Sequence, residues 1–225
     1  MAGMLSILHD FLLIFIPLFV VVDPAGSVPV YIALTSRYPE AQRRRIALRA
    51  STAAAVTGII FVILGQAILS FVGVRFEDFQ IAGGILVALL SLLDLVSSGK
   101  PAVSDSAPVD PVETVGIVPL AVPLIVGPAT MTTSLLLVNT FSGRYNERFH
   151  APYGQIIVTT MVCAALLMNL GILFVAMWYS NRLIALIGRN TMTVVNKIVM
   201  ILLTAIAISL IRQGIVSIVQ DLRKG

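Results

Sequence analysis

One acidic residue, Asp23, interrupts a long apolar segment near the start of the chain. It is followed at once by Pro24 and then by the small residues Ala25, Gly26 and Ser27. An ionisable side chain in the middle of a membrane costs about 2.5–3.5 kcal/mol on insertion scales, and such residues commonly mark a substrate or ion pathway. We therefore expect Asp23 to bind the amino group of a substrate or to carry a coupling proton.

A second helix-breaking motif, Gly127-Pro128-Ala129-Thr130, lies at the matching place in the second half of the chain. A helix that restarts inside a membrane points free N–H groups and the positive end of its dipole inward, which suits a small anionic group such as a carboxylate. Paired interruptions of this kind are the best sequence indication of a transporter's binding site. The expected substrate-binding residues are Asp23, Ala25, Gly26, Ser27, Gly127, Ala129, Thr130, Met131, Thr133 and Asn169, with Pro24 and Pro128 as the helix-breaking residues.

The same residues also fit an ordinary helix start. Asp is a preferred N-cap and Pro a preferred first helical residue, so Asp23 could accept a hydrogen bond from the Gly26 N–H and do nothing else. Likewise, the threonine hydroxyls could serve only to bond helical carbonyl groups. Ser or Thr would cap at less cost than a buried carboxylate, which favours an additional role for Asp23.

Composition places the chain in a bilayer. Of its 225 residues 58% are hydrophobic and only 12% are charged, whereas soluble domains carry roughly 25% charged residues. The net charge of +4 does not indicate nucleic-acid binding, because many basic residues flank apolar segments, where they set topology. The single cysteine, Cys163, excludes an intramolecular disulfide. We find no metal-binding spacing, catalytic motif or P-loop, and expect no enzyme activity and no cofactor.

Six stretches are long enough to cross the hydrocarbon core, which takes about 20 apolar residues. They predict an all-α membrane protein with one transmembrane domain over residues 1–225, built as two inverted three-helix repeats. Repeat 1 covers about 1–96, a linker 97–115 and repeat 2 about 116–225. The first and fourth helices are broken; Phe11–Val22, about 18 Å of helix, would reach the middle of the bilayer. The six segments are Ile7–Thr35, Ile46–Val72, Asp78–Val96, Ile117–Phe141, Ile156–Tyr179 and Val194–Ile218.

The distribution of Lys and Arg gives an orientation. The strongest cluster, Arg43-Arg44-Arg45, follows the first segment, and cytoplasmic loops carry an excess of such residues. This places the N- and C-termini outside.

The sequence resembles the MarC family of bacterial and archaeal inner-membrane proteins across nearly its whole length. The resemblance lies in Asp23–Pro29, in Ile81–Leu86 and in Pro119–Pro128, with further similarity in the last segment. It implies two inverted repeats with broken first and fourth helices, an inner-membrane location, and transport of small neutral amino acids such as glycine and alanine, coupled to an ion gradient. Ala129 stands where the family usually has glycine, which makes the site bulkier.

The resulting hypothesis is a secondary transporter for a small zwitterionic substrate, with a proton or a sodium ion as the coupling ion and alternating access as the mechanism. The alternatives are an exporter of another small metabolite, a passive channel, and a membrane scaffold or accessory subunit without its own substrate. The sequence leaves open the direction of transport and whether copies of the chain form a homo-oligomer.

Overall fold

The computed structural model describes residues 2–35, 38–96, 121, 125–149, 153–180, 182 and 189–223. Helices dominate these residues and no strand occurs among them, which confirms the all-α prediction for this part of the chain. The helices are α1 Ala2–Val22, α2 Pro24–Thr35, α3 Glu40–Val72, α4 Phe76–Val96, α5 Pro128–Phe149, α6 Tyr153–Trp178 and α7 Arg189–Leu222.

Five helical segments are long and apolar enough to cross a membrane. They correspond to five of the six predicted segments: Ser6–Ile32, Glu40–Val72, Phe76–Leu93, Tyr153–Trp178 and Lys197–Gln220. The remaining predicted segment, Ile117–Phe141, lies partly outside the described residues, and α5 covers its part from Pro128 onward. The predicted linker 97–115 lies outside them altogether.

The first half-helix is longer than predicted. It begins at Ala2, five residues before the predicted start at Ile7, and passes through the polar pair His9-Asp10 without ending. The Asp10 carboxylate accepts a hydrogen bond from the Tyr145 hydroxyl at 3.1 Å, so this acidic residue has a partner inside the protein. Along the chain, the break at Asp23 lies closer to the end of α2 than to the start of α1.

Helix α3 also begins earlier than predicted, at Glu40, and is 33 residues long. Its length of about 50 Å exceeds the thickness of a hydrocarbon core, about 30 Å. The additional turns carry the arginine cluster, where Arg44 pairs with Glu40 at 2.6 Å and lies 4.8 Å from the centre of the Trp178 ring. These turns are stabilised by local ion pairing and by contact with α6.

The end of α2 is fastened to the start of α3 by Arg43. The Tyr31 hydroxyl donates to the Arg43 carbonyl at 2.8 Å, and the Arg43 Nε donates to the Thr35 hydroxyl at 3.2 Å. The guanidinium group lies 5.9 Å from the centre of the Tyr31 ring. We call Tyr31, Thr35 and Arg43 the arginine clasp.

Helix α6 packs on α1, α2, α3 and α5, while α4 and α7 form the most extensive helix pair. Glycines allow this close approach: a Cβ added at Gly84 would lie 2.9 Å from the Ala207 carbonyl oxygen, and one at Gly214 3.0 Å from the Glu77 carbonyl oxygen. Small residues let membrane helices approach in this way. Large apolar side chains such as Ile60, Ile63 and Ile201 are exposed on the outside of the bundle, as a lipid-facing surface requires.

Candidate functional site

The first break is a single residue, Asp23, between α1 and α2. Its backbone has φ 47°, a left-handed conformation that non-glycine residues adopt uncommonly and at an energetic cost. Because Pro24 has no N–H, the helical hydrogen-bond pattern fails here. The Asp23 carboxylate accepts the Gly26 N–H at 3.0 Å, which confirms the predicted N-cap.

Ser27 completes this first break. Its backbone N–H donates to the Asp23 carbonyl at 2.9 Å, and its hydroxyl donates to the Val22 carbonyl, five residues back, at 3.3 Å. The N–H groups of Gly26 and Ser27 thus both bond to Asp23 in this conformation. The start of α2 is therefore already capped by Asp23.

The second break has the same plan without an acidic residue. The Val126 N–H reaches five residues back to the Ala121 carbonyl at 3.0 Å, and the Met131 N–H donates to the Gly127 carbonyl at 3.0 Å. The Thr130 hydroxyl donates to the Ile125 carbonyl at 3.0 Å, again five residues back. A glycine stands where the first break has Asp23, so the positive end of the α5 dipole is not offset by a capping carboxylate.

The bond between Asp10 and Tyr145 links the two helices that lead to the breaks. At 1.5 Å per residue, Asp23 is about 20 Å along α1 from Asp10, and Gly127 is about 27 Å along α5 from Tyr145. Helices α1 and α5 contact each other, whereas α2 and α5 share little contact among the described residues.

One turn of α6 lies against α3, at a glycine that the second break also approaches, and bonds to α1. The side chains of Leu166 and Val126 both lie against Gly58 of α3, within 2.7 and 3.6 Å of the position its Cβ would take. Three residues further on, the Asn169 amide donates to the Phe15 carbonyl of α1 at 3.3 Å and to the Ala165 carbonyl at 2.9 Å. Asn169 therefore joins α6 to α1 about two turns before Asp23.

Most predicted site residues are inaccessible to solvent in this conformation. Asp23 is 9% exposed and Asn169 0%. Ser27, Gly127, Thr130 and Thr133 are also buried, while Pro24, Ala25, Gly26, Ala129 and Met131 are partly buried. Pro128 is the first residue of α5. The polar atoms of the two breaks thus lie inside the bundle and away from its lipid-facing surface.

Several buried polar atoms have no hydrogen-bond partner within the part of the chain that the structure describes. They include the hydroxyls of Thr132 and Thr133, the Oδ1 of Asn169 and the Nε2 of Gln80. Gln80 is not among the residues predicted from the sequence, because it lies near the start of α4 beside Glu77 and Asp78. Its position on the buried stripe that continues through Gly84, Val87 and Ser91 is the pattern that could have identified it.

The chemistry of these residues is hydrogen bonding and charge pairing. The searched residues contain no group of three His, Cys, Asp or Glu side chains that could hold a metal ion. The first break thus contains a carboxylate and the second a helix start without an acidic cap.

Comparisons with known proteins identify the family to which this chain is similar. The profile described as "MarC family integral membrane protein" matches residues 8–219. A UPF0056 membrane protein of Methanocaldococcus jannaschii is 30% identical over 92% of this chain and 97% of its own. A UPF0056 membrane protein of Archaeoglobus fulgidus is 30% identical over 95% of this chain and 94% of its own. The UPF0056 inner membrane protein YhgN of Escherichia coli is 26% identical over 88% of this chain and 92% of its own. No solved structure matches the chain significantly.

Proposed function

This chain belongs to the MarC family of integral membrane proteins, and we propose that it is a secondary transporter of small neutral amino acids. The observation that carries the proposal is the pair of buried helix restarts, one capped by the Asp23 carboxylate and the other opening at Gly127 without an acidic cap. In transporters, discontinuous helices of this kind surround the substrate.

The polarity of the two breaks suits a zwitterion in one orientation. The substrate's ammonium group pairs with Asp23, and its carboxylate lies at the N-terminus of α5, where the helix dipole favours negative charge. On binding, the ammonium group would approach the same carboxylate that accepts the Gly26 N–H. The small side chains of Ala25 and Ala129 beside the breaks suit glycine or alanine.

The inverted three-helix repeat belongs to the same proposal. In such a repeat α2 corresponds to α5, α3 to α6 and α4 to α7. Contact of α5 with α3 and α4 should then be matched by contact of α2 with α6 and α7. Both sets of contacts occur. The hydroxyls of Ser27 and Thr130 also both reach back five residues to a carbonyl. Rocking of one repeat against the other would expose the site alternately to the two sides.

The orientation of the chain in the membrane follows from its charge. Arg43, Arg44, Arg45 and Arg182 lie at one end of the bundle, and the positive-inside rule makes this end cytoplasmic. Helix α1 begins at the opposite end of the bundle and helix α7 finishes there. We therefore place both termini on the outer side of the cytoplasmic (inner) membrane. A proton or a sodium ion is the proposed coupling ion, and Asp23 is the candidate to carry the proton.

Uptake by the purified protein in proteoliposomes tests this function. We expect saturable uptake of labelled glycine or alanine that is driven by an imposed pH or sodium gradient. Uptake that does not saturate would indicate a channel. Absence of saturable uptake under every gradient and in both directions would contradict the proposal and favour a scaffold or accessory role.

A further inference from the structure

Two buried polar side chains, Gln80 of α4 and Thr132 of α5, lie near the contact between these helices. A Cβ added at Gly83 of α4 would collide with the side chain of Thr132 of α5, so the threonine lies directly on the glycine. Gln80 is three residues before Gly83, and side chains three apart on a helix are about 5–6 Å from each other. Gln80 is therefore one turn of α4 away from the glycine that Thr132 contacts.

Both side chains are buried and unsatisfied. Thr132 is 0% exposed and Gln80 2%, and neither the Thr132 hydroxyl nor the Gln80 Nε2 has a hydrogen-bond partner among the described residues. Buried polar groups are nearly always hydrogen-bonded, so groups left unpaired call for a partner. The adjacent hydroxyl of Thr133, a predicted site residue, is unsatisfied as well.

The chemistry of the pair specifies an acceptor. The Gln80 Nε2 can only donate, and a hydroxyl donates as readily as it accepts. Thr132 belongs to the second turn of α5, close to the positive end of its dipole. A carboxylate fits two donors and a helix start, whereas an ammonium group has no lone pair to accept their hydrogen bonds.

We infer that α4 forms part of the substrate site, and that Gln80 and Thr132 bind the carboxylate of the transported molecule. This inference rests on the proposed transport function and adds two specificity-determining residues to it. Threonine has two favoured rotamers in a helix, so the Thr132 hydroxyl can turn from Gly83 toward a ligand. The absence of a side chain at Gly83 leaves the space in which it turns.

The test compares Thr132→Val and Gln80→Leu with wild type in glycine uptake and in thermal unfolding without substrate. Removing a hydrogen bond to a charged group should raise the KM for glycine about tenfold or more. The ligand-free Tm should stay unchanged or rise, because an unsatisfied polar group has been replaced by an apolar one of similar shape. Thr132→Ser should restore a low KM.

Thr160→Val and Gln66→Leu are matched controls, since both side chains are exposed on the bundle surface and should leave KM unchanged. Competition with glycinamide, which has a neutral amide in place of the carboxylate, gives a second readout. Wild type should strongly prefer glycine, and the two variants should lose much of that preference.

Three outcomes would overturn the inference. An unchanged KM with unchanged glycinamide discrimination would remove Gln80 and Thr132 from the site. A lower ligand-free Tm with normal affinity would show that the pair holds a structural water molecule. Wild-type protein without saturable uptake would overturn the proposed function and this inference together, whereas the first two outcomes leave the proposed function intact.

Discussion

The Tyr145 hydroxyl donates a hydrogen bond to the Asp10 carboxylate at 3.1 Å, across 135 residues of sequence. Tyr145 is 2% exposed and the Asp10 side chain 17%. The bond joins the start of α1 to the last turns of α5 at the end of the bundle opposite the arginine clasp. It holds together the two helices that lead to the two breaks.

Tyr145→Phe removes this bond and should destabilise the protein by about 1 kcal/mol, the usual contribution of an intramolecular hydrogen bond. For a chain of this size that corresponds to a decrease in Tm of about 2–4 °C. Thermal unfolding in detergent measures it. Tyr153→Phe is the control, because Tyr153 is 64% exposed. Equal stability of the two variants would show that the bond contributes nothing.

Substitutions at Asp23 separate its charge from its capping role. Asn caps helices as well as Asp does and tolerates a positive φ. Asp23→Asn should therefore change stability by less than about 0.5 kcal/mol while abolishing gradient-driven glycine uptake. Asp23→Ala loses the cap, which costs about 0.5–2 kcal/mol, and places a poorly suited residue at φ 47°. Normal uptake by Asp23→Asn would mean that Asp23 serves only as a cap.

Gly84→Ala should disturb the contact between α4 and α7. The new methyl group would lie 2.7 Å from the Ile211 Cγ1 and 2.9 Å from the Ala207 carbonyl oxygen, and overpacking of this kind costs about 1–3 kcal/mol. Gly171→Ala is the matched control, since no atom lies within 4 Å of its added Cβ. A thermal-unfolding series should show a lower Tm for the first variant only. A Gly84→Ala protein as stable as wild type would show that α4 and α7 can separate without loss.

The arginine clasp should hold its end of the bundle closed. Tyr31→Phe removes the bond to the Arg43 carbonyl, and under the proposed alternating-access mechanism it should shift the population toward states open at that end. The readout is the rate at which a membrane-impermeant thiol reagent, applied from that side, modifies Ser27→Cys in a Cys163→Ser background. We expect faster modification with Tyr31→Phe than with Tyr179→Phe, an exposed tyrosine at the same end. Identical rates would show that the clasp does not control access.

Local features could be predicted from the sequence because their partners are close along the chain. The Asp23 carboxylate and the Gly26 N–H are three residues apart, so the cap follows from helical geometry alone. The apolar spans follow from composition over about 20 residues. Helix ends were less predictable: α3 begins at Glu40 instead of Ile46, and the ring that Arg44 contacts in these extra turns, Trp178, is far away in sequence.

The sequence by itself determined that the chain is a helical membrane protein with a capped break at Asp23, because hydrophobicity and capping depend on neighbouring residues. Only the tertiary structure decided that Asn169 bonds to α1, that Gly83 lies on Thr132 and that Gln80 is buried without a partner. Those facts depend on which helix faces which, and the apolar face of one membrane helix does not specify its neighbour: lipid is as apolar as another helix, so close packing and polar contacts select the partners.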